Sequence, residues 1–280
     1  MAEILTLTAL GDNYIYLIVG AGDAVVVDPG DAGPVLLALK GNGLRLVAAL
    51  VTHHHGDHTA GLAQLKAATG CRIYGPDSRC ISPLDHLVRD GDLIDLPVGF
   101  VRVIATPGHT RTSVCYFLPQ TEGGPPSQPA ANARCTRPCP ADVRPTTGPA
   151  LFTGDTLFTA GCGRLFECDA AAMHRSLAKI AALPDETLIY PGHDYAVEDY
   201  MFTLSIDPHN QAAQQALRHL RDAQAQGRPI VPTPLAMEKR TNLFLRTDDP
   251  PLAAALGIRT DDPATVLAAV RRRKDAFQPS

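Results

Sequence analysis

The segment Thr52-His53-His54-His55-Gly56-Asp57-His58 limits what this chain can become more than any other stretch. It directly follows Leu46–Thr52, an apolar run of the kind that forms a buried strand. His53, His55, Asp57 and His58 crowd the mouth of that strand, and packing alone does not call for so many polar side chains there. Imidazole and carboxylate donors suit zinc, iron or manganese. Residues two apart on an extended chain point the same way, so His53 and His55 can grip one ion. The turn at Gly56 then lets Asp57 and His58 face a second.

Three further candidates share this address, each just after an apolar run and just after a glycine. His109 follows Phe100–Thr106, Asp155 follows Ala150–Thr153, and His193 follows Thr187–Tyr190. Glycine permits tight turns and close backbone approach. Each of the three alone reads as an ordinary turn. Together they put metal-ligating side chains at the C-terminal ends of four strands, where α/β folds commonly build their sites.

Further candidate strands are Ile4–Leu7, Tyr14–Val19, Ala24–Asp28 and Ser113–Leu118. Helical patterns begin near Pro34, near Thr59 and at Asp169, which caps a helix with Met173, Leu177 and Ile180 on one face and Pro184 as its stop. This alternation predicts an α/β catalytic domain over residues 1–193. Residues 194–226 are helical in pattern, with Ala213, Ala216, Leu217 and Leu220 on one face, and a helix from about Pro263 to Phe277 closes the chain. Residues 194–280 are therefore expected to form a smaller, mainly helical domain. Residues 119–149 are rich in proline and lack apolar periodicity, which predicts a surface loop.

Net charge is -4, and aromatic residues make up only 5% of the chain. Neither suits broad binding to nucleic acid or stacking on its bases. No apolar run approaches the ~20 residues that span a bilayer, and no secretory signal precedes the seven cysteines. A cytoplasmic protein with reduced thiols is the expectation. Cys135 and Cys139, close in sequence, lack the further ligands of a metal clip. His174, His209 and His219 read as surface residues, His86 as a loop residue, and Cys162 as packing. Asp28 either supports the site from behind or belongs to a simple turn.

The motif His53-x-His55-x-Asp57-His58, with His109, Asp155 and His193, resembles the metallo-β-lactamase superfamily and, within it, the glyoxalase II (hydroxyacylglutathione hydrolase) family. Asp12-Asn13-Tyr14, Gly154-Asp155-Thr156-Leu157-Phe158, Ala160-Gly161-Cys162-Gly163-Arg164, Asn242-Leu243-Phe244-Leu245-Arg246 and Arg271-Arg272-Arg273-Lys274-Asp275 carry the narrower likeness. The resemblance implies a four-layer αββα sandwich followed by a helical C-terminal domain that binds substrate. It implies two divalent metal ions per chain, zinc ahead of iron or manganese. His53, His55 and His109 would hold one ion, Asp57, His58 and His193 the other, and Asp155 would bridge them. His54 matches a motif position that is not a ligand.

Such a site implies a dinuclear thioesterase, with Asp57, His58 and Asp155 as its catalytic centre. A hydroxide held between ions ~3.5–4 Å apart forms near neutral pH. It would attack the carbonyl of S-(2-hydroxyacyl)glutathione, typically S-D-lactoylglutathione, giving glutathione and D-lactate, the second step of methylglyoxal detoxification. The thiolate leaves readily because its conjugate acid has a pKa of roughly 8.5, so no nucleophilic serine or cysteine is required. Residues matching the family's glutathione pocket are Arg164, Tyr195, Arg271 and Lys274, although cations near a helix C-terminus also complement its dipole. Phe166 stands where some members have tyrosine. The partner is then this small-molecule thioester, with neither nucleic acid nor membrane, on a monomer or weak oligomer. The competing enzyme readings are a lactonase, a β-lactamase and a persulfide dioxygenase.

Overall fold

The computed structural model describes residues 2–119, 143–145, 148–228 and 230–279. All eight expected strands form, each within two residues of its expected bounds. In chain order the first nine strands are β1 (Glu3–Ala9), β2 (Asn13–Gly20), β3 (Asp23–Val27), β4 (Arg45–Leu50), β5 (Arg72–Gly75), β6 (His86–Leu87), β7 (Leu93–Leu96), β8 (Gly99–Ala105) and β9 (Val114–Leu118). There follow β10 (Val143–Pro145), β11 (Ala150–Gly154), β12 (Leu157–Phe158), β13 (Gly161–Cys162), β14 (Leu188–Pro191) and β15 (Thr233–Pro234). One sheet runs β10-β1-β2-β3-β4-β5-β6, a second runs β15-β14-β11-β9-β8-β7, and β12 and β13 pair as a small hairpin.

The two sheets face each other, and strand alternation decides which side chain goes where. In β2, Tyr14, Tyr16 and Ile18 point between the sheets, towards Val103, Tyr116, Phe152 and Tyr190 of the second sheet. Their neighbours Ile15 and Leu17 point outward onto Val35, Leu39, Leu62 and Leu65. Those four belong to α1 (Ala32–Asn42) and α3 (Leu62–Thr69), which flank the one-turn α2 (Gly56–Thr59). In the second sheet, Cys115 and Phe117 of β9 point outward onto Met173, Leu177 and Ile180 of α4 (Ala170–Ala181). Helix, sheet, sheet, helix is the four-layer sandwich expected. Burial of both faces explains why the strands read as nearly continuous apolar runs.

Asp169 caps α4, accepting from the Ala172 N–H at 2.8 Å. The remaining helices are α5 (Ala196–Ile206), α6 (Gln211–Ala225), α7 (Leu235–Thr241), α8 (Pro250–Ala255) and α9 (Pro263–Asp275). Leu235, Leu243, Phe244, Val266 and Leu267 share one core with Leu177 and Ile189, so the C-terminal region lies directly against α4 and the second sheet.

Three details differ from the sequence reading. Val143–Pro145, inside the stretch expected to be loop, pairs antiparallel with β1. The rest of that stretch from 120 to 147, including Cys135 and Cys139, lies outside the described residues. His86 sits on the edge strand β6 rather than in a loop, stacked on Tyr74 at 4.6 Å. The short β5 and β7 and the helices α7 and α8 are absent from the sequence reading, because segments this short give too little periodicity to read.

Candidate metal centre

The seven candidate ligands come together at one end of the sandwich, on the loops that leave β4, β8, β11 and β14. His53 leaves β4, and His55 precedes the single turn of α2, which carries Asp57 and His58. Gly192 shows how tight the assembly is. A Cβ there would stand 2.6 Å from Asp155 Oδ1 and 2.8 Å from His58 Cε1.

Three donor trios result: His53, His55 and His109; Asp57, His58 and His193; and the wholly buried Asp28, His53 and His58. The first two share no residue. In the first, His55 Nδ1 lies 3.1 Å from His53 Nε2 and 3.0 Å from His109 Nε2. In the second, His193 Nε2 lies 3.3 Å from both His58 Nε2 and Asp57 Oδ2. Asp155 stands between them. Its Oδ2 is 3.3 Å from His109 Nε2, and its Oδ1 is 3.3 Å from His58 Nε2 and 3.5 Å from His193 Nε2. Oδ1 is buried without a hydrogen-bond partner.

The surrounding residues fix which nitrogen of each ring faces inward. His109 Nδ1 donates to the Arg164 carbonyl at 2.9 Å. His193 Nδ1 lies 3.1 Å from Asp12 Oδ1, and His58 Nδ1 lies 3.1 Å from Asp28 Oδ2. Thr52 Oγ1 donates to Asp28 Oδ2 at 2.7 Å, so it accepts from His53 Nδ1 at 3.0 Å. Four imidazoles thus spend Nδ1–H outward and turn Nε2 to the centre, as metal-ligating histidines do. Asp28 Oδ1 also accepts from the Thr52 N–H at 2.7 Å. Asn13 Nδ2 donates to Asp57 Oδ2 at 3.1 Å.

Electrostatics divides the site in the same way. Burial depresses the pKa of His53, His55 and His109, leaving neutral lone pairs. Burial also opposes charge on His58 and His193, yet the neighbouring carboxylates prevail. Asp155 and Asp28 hold His58 well above the usual histidine range, and Asp155 and Asp57 lift His193 to about 10. The hydrogen bond from His193 holds Asp57 low, and despite its burial the charge of His58 holds Asp155 low. The Asp155 carboxylate, buried between the two groups, requires positive charge beside it, from protons or from cations. Converging lone pairs, an unpartnered Oδ1 and hard-to-borderline donors fit divalent cations.

Residues 194–277 match the family described as hydroxyacylglutathione hydrolase C-terminus, and residues 9–122 match the metallo-beta-lactamase superfamily. A hydroxyacylglutathione hydrolase of Cereibacter sphaeroides is 39% identical over 279 residues, which cover 98% of this chain and 99% of that one. The chain belongs to the hydroxyacylglutathione hydrolase family. Among solved structures it is similar to ETHE1 from Myxococcus xanthus, with a TM-score of 0.58, 26% identity and 98% of both chains covered. It is also similar to TTHA1623 in a di-iron-bound form, with a TM-score of 0.53, 25% identity, and coverage of 86% of this chain and 98% of that one.

In this family member the centre opens into a cavity of about 530 Å³. His55, Asp57, His109, Asp155 and His193 line it, and so do Arg164, Tyr195, Arg271 and Lys274. The Tyr195 ring stacks on His193 at 4.9 Å with 5° between planes. Arg164 is exposed and has no ion pair among the described residues. The other two cations are already engaged. Arg271 Nη1 donates to the Cys162 carbonyl at 2.7 Å and its Nη2 lies 2.9 Å from Asp275 Oδ1. Lys274 Nζ lies 2.6 Å from Glu198 Oε1 and 2.9 Å from Asp199 Oδ1.

Phe166 sits at the rim, 60% exposed, edge-on to His55 and His109. His54 turns away to Glu167, at 3.3 Å. Cys162 is buried with its thiol pushed up to about 12 by burial, which suits packing and not attack. Sequence reasoning missed the parts played by Asp12, Asn13 and Thr52. One signal was available for Asp28, the partner of Thr52: a carboxylate ending an apolar strand must meet buried donors, and Asp28 is 3% exposed.

Proposed function

We propose that this chain hydrolyses S-(2-hydroxyacyl)glutathione thioesters, typically S-D-lactoylglutathione, to glutathione and a 2-hydroxy acid at a two-cation centre. The observation that carries this reading is Asp155, whose two carboxylate oxygens face different donor trios on the floor of the cavity. In the reading, His53, His55 and His109 hold one divalent cation and Asp57, His58 and His193 the other, with Asp155 shared. Such a pair of ions supplies a water acidified enough to attack at neutral pH, and positive charge for the oxyanion that develops.

The rest falls to this chain's own side chains. Asp12, Asp28, Thr52 and the Arg164 carbonyl hold the imidazoles in one tautomer, so no reorganisation is needed during reaction. Asn13 keeps the Asp57 carboxylate turned inward. Arg164 and Tyr195 offer a cation and a hydroxyl to a glutathione carboxylate. Arg271 and Lys274 contribute positive potential from the wall, partly spent on Asp275, Glu198 and Asp199. The departing thiolate needs no acid from the protein.

Residues 194–280 act in this reading as the substrate-binding part and residues 1–193 as the catalytic part. Zinc, with iron or manganese as alternatives, suits the donors. A cytoplasmic monomer or weak oligomer is the accompanying proposal. It is supported by five free cysteines among the described residues and by a substrate small enough for one chain's cavity. No helix among the described residues is long and apolar enough to cross a membrane.

The test is thioester hydrolysis with S-D-lactoylglutathione, before and after chelation and with zinc restored. Turnover that vanishes on chelation and returns with zinc is expected. A protein carrying two equivalents of zinc that leaves the thioester intact would overturn the reading.

A further inference from the structure

The hairpin β12–β13 begins two residues after Asp155 and leads into Gly163 and Arg164, whose carbonyl orients His109. Its own ladder satisfies few of its backbone groups, and two side chains from the C-terminal region take up others. Glu238, 0% exposed near the middle of α7, accepts from the Ala160 N–H at 2.8 Å through Oε2. Asn242 Nδ2 donates to the carbonyls of Phe158 at 3.2 Å and Gly161 at 3.0 Å, and to Glu238 Oε2 at 3.1 Å. Thr233 Oγ1 donates to Glu238 Oε1 at 2.9 Å. Ala160 lies in the left-handed region at φ 61°, so the turn is held away from its preferred conformation by these contacts.

From Glu238 and Asn242, then, the geometry points to a clamp that acts on the metal centre: both are positioning residues, holding the hairpin where the Arg164 carbonyl can orient His109. A buried carboxylate and amide are poor choices if stability alone matters, since well-packed apolar residues cost less. A fully satisfied polar network instead imposes one geometry, and here that geometry is demanding. A Cβ on Gly163 would stand 2.0 Å from the Asp155 carbonyl oxygen and 2.9 Å from His109 Nδ1, so the chain leaving the hairpin lies directly against both residues. Loosening the clamp frees the Arg164 carbonyl to drift and His109 to change tautomer. The inference rests on the two-cation reading and leaves the identity of the substrate aside.

The experiment titrates zinc into the metal-free full-length chain against a chromophoric chelator. Wild type is expected to take two tight equivalents. Glu238→Ala and Asn242→Ala are expected to keep one and bind the other about 10–100-fold more weakly, the usual effect of losing a ligand's supporting hydrogen bonds. Glu238→Gln should restore tight binding, because its amide oxygen still accepts from Ala160 and its NH2 can donate to Thr233 Oγ1. Leu220→Ala, in the separate core of α6, should lower Tm and leave both equivalents tight.

Alanine variants that lose only Tm and retain two tight equivalents would overturn the clamp alone. Fewer than two equivalents in the wild type would remove the ground for the clamp and the two-cation reading together. Where an alanine variant does not fold, Thr233→Val removes a single donor to Glu238. A shift of a few-fold at one equivalent is expected from it, and no shift counts against the clamp.

Discussion

Asp28→Asn should weaken one of the two proposed metal sites through one hydrogen atom. Asp28 meets donors on both oxygens: Oδ1 accepts from the Thr52 N–H at 2.7 Å, and Oδ2 from Thr52 Oγ1 at 2.7 Å and His58 Nδ1 at 3.1 Å. Asparagine has the same shape but only one acceptor. If its oxygen faces the Thr52 N–H, its NH2 confronts His58 Nδ1, and the ring can accept there only by moving its proton to Nε2, the nitrogen turned to the centre. If the amide flips, the buried Thr52 N–H faces another donor, a loss of about 1–3 kcal/mol. The first route weakens the Asp57, His58 and His193 site by about 10–100-fold in affinity, or about 1.4–2.7 kcal/mol; the second keeps the His58 bond and shows as a lower Tm instead. Zinc titration against a competing chelator, with kcat measured on the same samples, reads the effect. Two equivalents bound at wild-type affinity in a variant of unchanged Tm would refute the hydrogen-bond argument.

Two other predictions concern the cavity wall. Asp199 is buried, and burial lifts its pKa to about 6 against the pull of Lys274. Its folded-state pKa is raised, so its contribution to stability is complete below about pH 4, the ordinary aspartate value, and is lost as pH rises through about 6. Asp199→Asn should therefore gain on the wild type in Tm as pH rises from about 4 to 7, and parallel Tm profiles would contradict this. Arg164→Ala should raise KM for the glutathione thioester about tenfold with little change in kcat, the signature of lost uniform binding. A fall in kcat at unchanged KM would place Arg164 in the chemistry instead.

The candidate ligands are legible in the sequence because each is a polar residue set just after an apolar strand, often behind a glycine. Chemistry of that kind leaves a local mark: His53-x-His55-x-Asp57-His58 is short, and packing does not produce it. Apolar runs buried on both faces make the strands legible for a related reason, but their αββα layering is expected only through the family resemblance. The clamp on the hairpin is not legible. Glu238 and Asn242 sit in a short helical stretch whose sequence looks like an exposed surface, and Asn242 is 81 residues from the Gly161 carbonyl it holds.

The same division runs through the whole molecule. Sequence by itself determined the donor types, the strand ends that carry them and the α/β class, because residue type and periodicity act over a few neighbours, while the two-sheet layering was expected only through the family resemblance. Only tertiary structure decided which histidine nitrogen faces inward, that Asp155 offers one oxygen to each of the two separate trios, and that Arg271 and Lys274 already have partners. Those outcomes depend on distances between segments far apart in the chain. Asp28 and His58 are 30 residues apart, and His193 and Asp12 are 181 apart. No local pattern encodes a hydrogen bond whose two ends are brought together only by the closing of the sandwich.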